Sequence, residues 1–320
     1  ISTANPDSIK LIENRYPDTI IVPRAEEIIN DTSLDLVIVT SPNIFHYQWT
    51  KEALLAGKHV VVEKPFTNTA AEADELIELS KQTGKTLTVY HNRRFVSDIK
   101  TARKLLYSGL LGDVVDYEAH FDRFRPEAQP AGYWGEDPLP GSGILYDLGS
   151  HLIDQALYLF GLPLAVTANI CRQRPWAKAD DCFDVMLHYP TYTATLKSSM
   201  LAKIPGPTIQ IHGTKGTFVK YGLDVQEDNI NKGLIPNTPD WGKEPEMGWG
   251  KLVTEFNGVK LKALVESENG DYREFFINLR DSIQGKVDLA VKPEDARTVI
   301  RIIELAFQSS NERRTVDFSK

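Results

Sequence analysis

The chain has 320 residues, long for one core, and its 42% hydrophobic and 25% charged content without low-complexity tracts predicts an ordinary globular protein of two domains. A net charge of -8 argues against nucleic acid or an anionic membrane as the main partner. Cys171 and Cys182 are too few for a disulfide framework and lack metal spacing, and no signal peptide or bilayer-length apolar run is present, so a cytoplasmic location is expected.

The chain opens with Ile1-Ser2-Thr3-Ala4-Asn5-Pro6, which reads as the end of a strand without an initiator Met. No glycine-rich phosphate turn comes before it. A doubly wound domain should begin with one, so a first strand–turn–helix unit of roughly thirty residues is expected upstream. Asp7 to Tyr16 reads as a helix with Asp7 or Ser8 as N-cap and Ile9, Leu11 and Ile12 as apolar positions. Thr19 to Val22 reads as a short strand and Ala25 to Asn30 as a short helix.

Leu36-Val37-Ile38-Val39 is a β-branched run of the kind found in buried parallel strands, broken by Thr40-Ser41-Pro42-Asn43. A helix from about Phe45 to Ala56 follows, closed by Gly57, and Val60-Val61-Val62 is a second buried strand ending in Glu63-Lys64-Pro65. Open α/β sheets bind ligands beyond the carboxyl ends of their strands, so this charged pair marks a candidate site. Lys64 has two readings: a solvated charge, or a functional amine whose direction is fixed by the restricted backbone before Pro65, a bond that can also be cis. Thr69 to Thr83 is an amphipathic helix ended by Gly84, and Leu87 to Tyr90 a strand leading into His91-Asn92-Arg93-Arg94. Alternation of strands and helices predicts a parallel, nucleotide-binding domain over residues 1–92.

From residue 93 to 320 the pattern changes. Ile99–Ser108 reads as a helix; Val114–Phe124 alternates, with Val115, Tyr117, Ala119 and Phe121 as its inner face. Gly132 to Gly143 is a Gly/Pro loop, followed by a helix over 144–160 and strands near 165–171, 181–189, 192–200, 209–213 and 217–220. Gly233–Gly250 is a second loop, then helices cover 272–284 and 293–313. Runs of strands predict an α+β domain with a large open, mainly antiparallel sheet, with the last helix packing back on the first domain.

Asp147, His151 and Asp154 share one face of the 144–160 helix. A carboxylate beside an imidazole suits general acid–base chemistry, but a helix-dipole contact with a surface histidine fits the spacing equally, and a metal site is a third reading. Arg93 and Arg94 suit either ion pairs at the domain boundary or substrate and phosphate binding; Arg123 and Arg125 suit salt bridges or a polar substrate.

Three motifs combine: Thr40-x-Pro42 with His46; Ala56-Gly57-Lys58-His59-Val60 leading to Glu63-Lys64-Pro65; and Asp147, His151 and Asp154 after a Gly-rich turn. Together they resemble the glucose–fructose oxidoreductase/inositol dehydrogenase (Gfo/Idh/MocA) family over essentially the whole chain. Tyr90–Arg94, His120–Pro126, Tyr146–His151 and Lys220–Asp228 resemble the branch containing NADP-dependent scyllo-inositol dehydrogenases. The resemblance implies reversible hydride transfer between NADP(H) and a secondary alcohol of a cyclic polyol or sugar, with Lys64, Asp147 and His151 catalytic. It implies substrate contacts from the same three residues with Arg123 and Arg125, and no metal. Cofactor contacts are expected from Ser2, Thr3, Thr40, Ser41, Pro42, Asn43, His46, Glu63, Lys64, Asn92 and Arg94. NAD enzymes commonly carry an acid at the end of the second strand; Ser2-Thr3-Ala4-Asn5 has none, which favours NADP over NAD. A homo-oligomer, dimer or tetramer, built on the open sheet is also implied. A non-catalytic, nucleotide-binding regulator of the same fold is the competing reading.

Overall fold

The computed structural model describes residues 1–128 and 136–318. The first part of the Gly132–Gly143 loop, 132–135, lies outside the described residues.

Helix α1 (Pro6–Arg15) is capped by Asn5, whose Oδ1 accepts from the backbone N–H of Asp7 (2.9 Å) and Ser8 (3.3 Å), with Pro6 at the first position. Asn5 replaces the expected Asp7 or Ser8 because Pro6 has no N–H to lose at the first turn. None of its residues is buried, and Leu11 is 62% exposed, against the apolar face expected of it. The expected strand at Thr19–Val22 is only a parallel bridge between Ser2 and Val22.

After α2 (Ala25–Ile29), strands β1 (Leu36–Val39), β2 (His59–Val62) and β3 (Leu87–Val89) form a parallel sheet in that order, separated by α3 (His46–Leu55) and α4 (Ala70–Thr83). Val60, Val61 and Val62 are fully buried. Helix α4 begins at a capping box, Thr69 with Glu72, and ends at left-handed Gly84. α5 (Ser97–Ser108) leads to the second sheet.

That second sheet contains β4 (Val114–His120), and α6 (Ser150–Phe160) packs on it. β5 (Ala165–Cys171), β6 (Cys182–His188), β7 (Thr193–Ser199), β8 (Ile209–Gly213) and β9 (Gly216–Lys220) follow, then α7 (Gln226–Asn231), β10 (Gly250–Phe256) and β11 (Val259–Val265). Helices α8 (Arg273–Ile283) and α9 (Pro293–Glu312) precede β12 (Val316–Asp317). The nine strands lie in the order β11-β10-β9-β8-β4-β7-β6-β5-β12. Only β4 with β7 is parallel, so the sheet is mixed but mainly antiparallel. Tyr117, Ala119 and Phe121 face the core as the alternation predicts. Val115 does not: it is 48% exposed because the β4–β8 register shifts between Val114 and Asp116.

Helix α9 bridges the two halves. Ala70 N–H donates to Glu304 Oε1 (2.8 Å) and Arg297 pairs with Asp74 (2.8 Å), while Ser309 and Ser310 hydroxyls accept from Ala168 and Ile170 of β5. Among the described residues no helix is long and apolar enough to cross a membrane.

Candidate active site

Strand β2 ends with three buried valines, and its exit places Lys64 beyond the carboxyl edge of the parallel sheet; the Lys64–Pro65 bond is cis. The 144–160 segment is not one continuous α-helix. Leu145–Gly149 is a π-helical turn joined to α6, a feature frequent at functional sites. Its start is fixed by Asp180, which accepts from the Leu145 N–H (2.8 Å). Gly143, at φ +88, must be glycine there, since a Cβ would lie 1.9 Å from Asp180 Oδ1.

Lys64 Nζ donates to Asp147 Oδ1 (2.6 Å) and to the Asp147 carbonyl (3.0 Å). Burial pushes the Asp147 carboxyl up, but the charge and hydrogen bond of Lys64 outweigh it and hold it below the usual carboxylate range. His151 is 7% exposed, and its Nδ1 is buried with no partner. Burial, then the charges of Lys64 and Arg93, hold its imidazole well below 6.5, so it is neutral at physiological pH. Its ring stacks near Phe121, centroids 6.3 Å apart.

These groups line one cavity of about 320 Å³, which also takes Glu63, Asn92, Arg93, Arg123, Tyr90, Glu227 and Tyr272. Of the expected site residues, Glu63, Lys64, Asn92, Arg123, Asp147 and His151 therefore come together. Glu63 accepts from the Lys64 N–H (3.1 Å), and burial raises its carboxyl; burial and Glu63 together push the Tyr90 phenol up to about 12.

Several of the expected contact residues have partners within the protein. Arg94 makes a buried ion pair: its Nη2 lies 2.6 Å from Asp154 Oδ1 and its Nη1 3.1 Å from Asp295. Asp154 is thereby turned away from Asp147 and His151, which removes the third ligand of the metal reading. His46 is 1% exposed, with Nδ1 2.8 Å from the Pro65 carbonyl and Nε2 2.9 Å from that of Ser41; it ties the two strand exits together instead of meeting a ligand. Asn43 donates its amide to the Gly141 carbonyl (2.8 Å). Arg125 borders a smaller neighbouring cavity with Arg174 and Asp180, which shares Asp147 with the one holding His151. Thr40, Ser41 and Pro42 form the turn beyond β1. Ser2 and Thr3 sit on the Val22 bridge, where the Thr3 N–H donates to the Val22 carbonyl (3.1 Å).

Phe121, Tyr90, Glu227 and Tyr272 had no site role in the sequence reading. Glu227 pairs with Arg93 at 2.5 Å, holding that guanidinium 4.6 Å from the Phe121 ring centroid. Its position comes from a buried network: Asp224 accepts from the Ser97 and Gln226 N–H groups, and Lys220 pairs with Glu244 (3.0 Å). The Lys220–Asp228 stretch stood out in the sequence, but nothing local ties it to Arg93, 134 residues earlier.

The donor set fits a nicotinamide. The cavity opens at the carboxyl edge of a parallel sheet, where such cofactors bind, and an amine, a carboxylate and a neutral imidazole share its wall.

The model described as "Oxidoreductase family, NAD-binding Rossmann fold" matches residues 5–91, and that described as "Oxidoreductase family, C-terminal alpha/beta domain" matches 103–318. Among curated proteins the chain is 42% identical to scyllo-inositol 2-dehydrogenase (NADP(+)) IolW of Bacillus subtilis, over 99% of this chain and 87% of the relative. It is 39% identical to the oxidoreductase YdgJ of Escherichia coli, over 94% of this chain and 86% of the relative. Among solved structures, the oxidoreductase yvaA of Bacillus subtilis superposes with a TM-score of 0.94 at 41% identity, covering 100% of this chain and 90% of that one.

Proposed function

The chain belongs to the Gfo/Idh/MocA oxidoreductase family and is a dehydrogenase acting on CH–OH groups; on that premise we propose that it moves a hydride between NADP(H) and a secondary alcohol carbon of a cyclic polyol or sugar. The observation that carries this reading is the convergence of Lys64, Asp147 and neutral His151 on one cavity at the carboxyl edge of the parallel sheet.

His151 accepts the hydroxyl proton at Nε2, the nitrogen left to the cavity, since Nδ1 is sealed. Its neutrality is what lets it act as base in oxidation; the protonated form returns the proton in reduction. Lys64 donates to the reacting oxygen and stabilises its developing negative charge. Asp147 aims that ammonium and accepts from a neighbouring hydroxyl. When bound, the nicotinamide supplies the hydride acceptor or donor. Glu63 and Asn92 on the cavity wall, with the Thr40–Pro42 turn beyond β1, would meet the cofactor. The absence of an acid among Ser2-Thr3-Ala4-Asn5 and the NADP(+) in the name of the Bacillus relative both support NADP. Val115, Met186 and Val253, exposed on the outer face of the large sheet, support a homo-oligomer there.

The test is nicotinamide absorbance with NADP+ and NAD+ against a panel of inositols and aldoses. Turnover with a polyol, faster with NADP+, is expected. Absence of turnover across the panel while the cofactor binds would overturn the proposal in favour of a non-catalytic, nucleotide-binding role.

A further inference from the structure

The cations of the cavity wall are not all paired. Lys64 is paired with Asp147 at 2.6 Å, and Arg93 with Glu227 at 2.5 Å. Arg123, the third cation on the wall, has no ion pair or side-chain hydrogen bond among the described residues. It is nonetheless half-buried, with its guanidinium carbon 5.3 Å from the Phe121 centroid, the same ring that carries Arg93 at 4.6 Å. Glu63, the remaining carboxyl on the wall, accepts from the Lys64 backbone N–H (3.1 Å) and makes no ion pair with Arg123.

The backbone presenting Arg123 is rigid. Its N–H donates to the Ser199 carbonyl (2.9 Å), its carbonyl accepts from Ala202 (3.1 Å), and Phe124 bridges Leu201. The guanidinium is therefore presented from a fixed backbone over the Phe121 ring, with no ion pair among the described residues. Burial, then the like charge of Arg125, pull its pKa below the ordinary arginine value, against the opposing charges of Asp147 and Glu227, neither of which comes within ion-pair distance. The Arg93 Nε is also buried with no acceptor. A neutral hydroxyl would satisfy one of these N–H groups and leave the Arg123 fork without an anionic partner. A carboxylate would satisfy both charge and fork geometry.

We infer that Arg123 reads an anionic group, a carboxylate, on the substrate, so that the preferred substrates are sugar acids such as uronates and not neutral polyols. The inference rests on the dehydrogenase reading of the same cavity. Arg123 lines the same cavity as Asp147 and His151, so a carboxylate held by it would share that cavity with the reacting hydroxyl.

The experiment is calorimetric titration of the protein, without cofactor, with glucuronate, glucose and a hexose phosphate, followed by turnover of the same compounds with NADP+. Glucuronate should bind at least about tenfold more tightly than glucose, as a charged hydrogen-bonded pair implies. Arg123→Gln should bring glucuronate down to the level of glucose, and Arg123→Lys should retain part of the difference. Equal affinity for glucuronate and glucose overturns the inference, as does a preference that survives in Arg123→Gln. Tighter binding of the hexose phosphate than of glucuronate overturns the carboxylate assignment. Glucuronate bound through Arg123 but not oxidised, while a neutral polyol is turned over, overturns the sugar-acid substrate; no turnover of any compound, with glucuronate still bound through Arg123, leaves the anion site and tells against the polyol or sugar reaction proposed above.

Discussion

Asp147 holds Lys64 by two different atoms: the ammonium donates to the side-chain Oδ1 at 2.6 Å and to the main-chain carbonyl at 3.0 Å. The first domain thus supplies the amine and the π-helical turn of the second supplies both its acceptors. The direction of Lys64 depends on how the two domains meet, and a one-residue change in that turn would separate amine from imidazole.

Lys64→Ala and His151→Ala should each lower kcat by at least roughly a hundredfold, from the usual size of charge-stabilising and acid–base contributions. Asp147→Asn should cost less, because the backbone carbonyl still accepts from Lys64. Steady-state kinetics with the best polyol or sugar acid checks this. Near-normal turnover in Lys64→Ala or His151→Ala removes that residue from the mechanism.

The pH dependence follows from the buried imidazoles. His151, His46 and His91 all titrate below the ordinary 6.5, with burial the largest cause in each. The unfolded chain therefore takes up protons first, so their contribution to stability is full above about 6.5 and is lost as pH falls below it. His120 has the opposite sign: despite its burial, Asp122 and Glu118 raise it, and its contribution fades as pH rises. The acid limb of kcat/KM for alcohol oxidation should lie well below 6.5. An acid limb at or above that value, abolished in His151→Asn, would contradict a neutral His151.

Arg94→Ala should destabilise the fold by about 3–5 kcal/mol, because it strands the Asp154 carboxylate, which is 1% exposed. Asp154→Ala should cost a similar amount by stranding the guanidinium. Denaturant unfolding measures both. If Arg94→Ala keeps its stability and instead raises the KM for NADPH, the structural role given to this arginine is wrong.

Much of the candidate cluster was legible because it is written locally. The valines of β2 point to Lys64, and the spacing of Asp147 and His151 survives the π-helical turn between them. Asp154 has the same local signature, yet Arg94, 60 residues earlier, captures it. Arg93 and Arg94 are neighbours with opposite fates, one on the cavity and one in a buried pair, and nothing in the sequence separates them. The ties of His46 to two backbone carbonyls were not legible, because no side-chain pattern announces them. The β10–β11 hairpin was readable and missed: Asn257-Gly258, both at positive φ, is the tight-turn signal between its strands.

Asp98 offers a test of the network behind Glu227. Its carboxyl is 3% exposed and accepts from the Ile99 N–H (2.8 Å). Burial pushes it up from 3.8 to about 6, partly countered by Lys220 and reinforced by Asp224. In this window the folded chain binds more protons than the unfolded one, so stability falls as pH rises from about 3.8 to about 6 and the penalty is complete above that. Asn keeps the size and the acceptor without the charge. Asp98→Asn should therefore stabilise the protein by about 1–3 kcal/mol at neutral pH and by much less near pH 4, where the native carboxyl is already protonated. Thermal unfolding of both forms across that range reads the difference directly. Equal gains at both pH values would mean that the benefit is not electrostatic. A loss at neutral pH would mean that the Asp98 charge is needed to balance Lys220, which already pairs with Glu244.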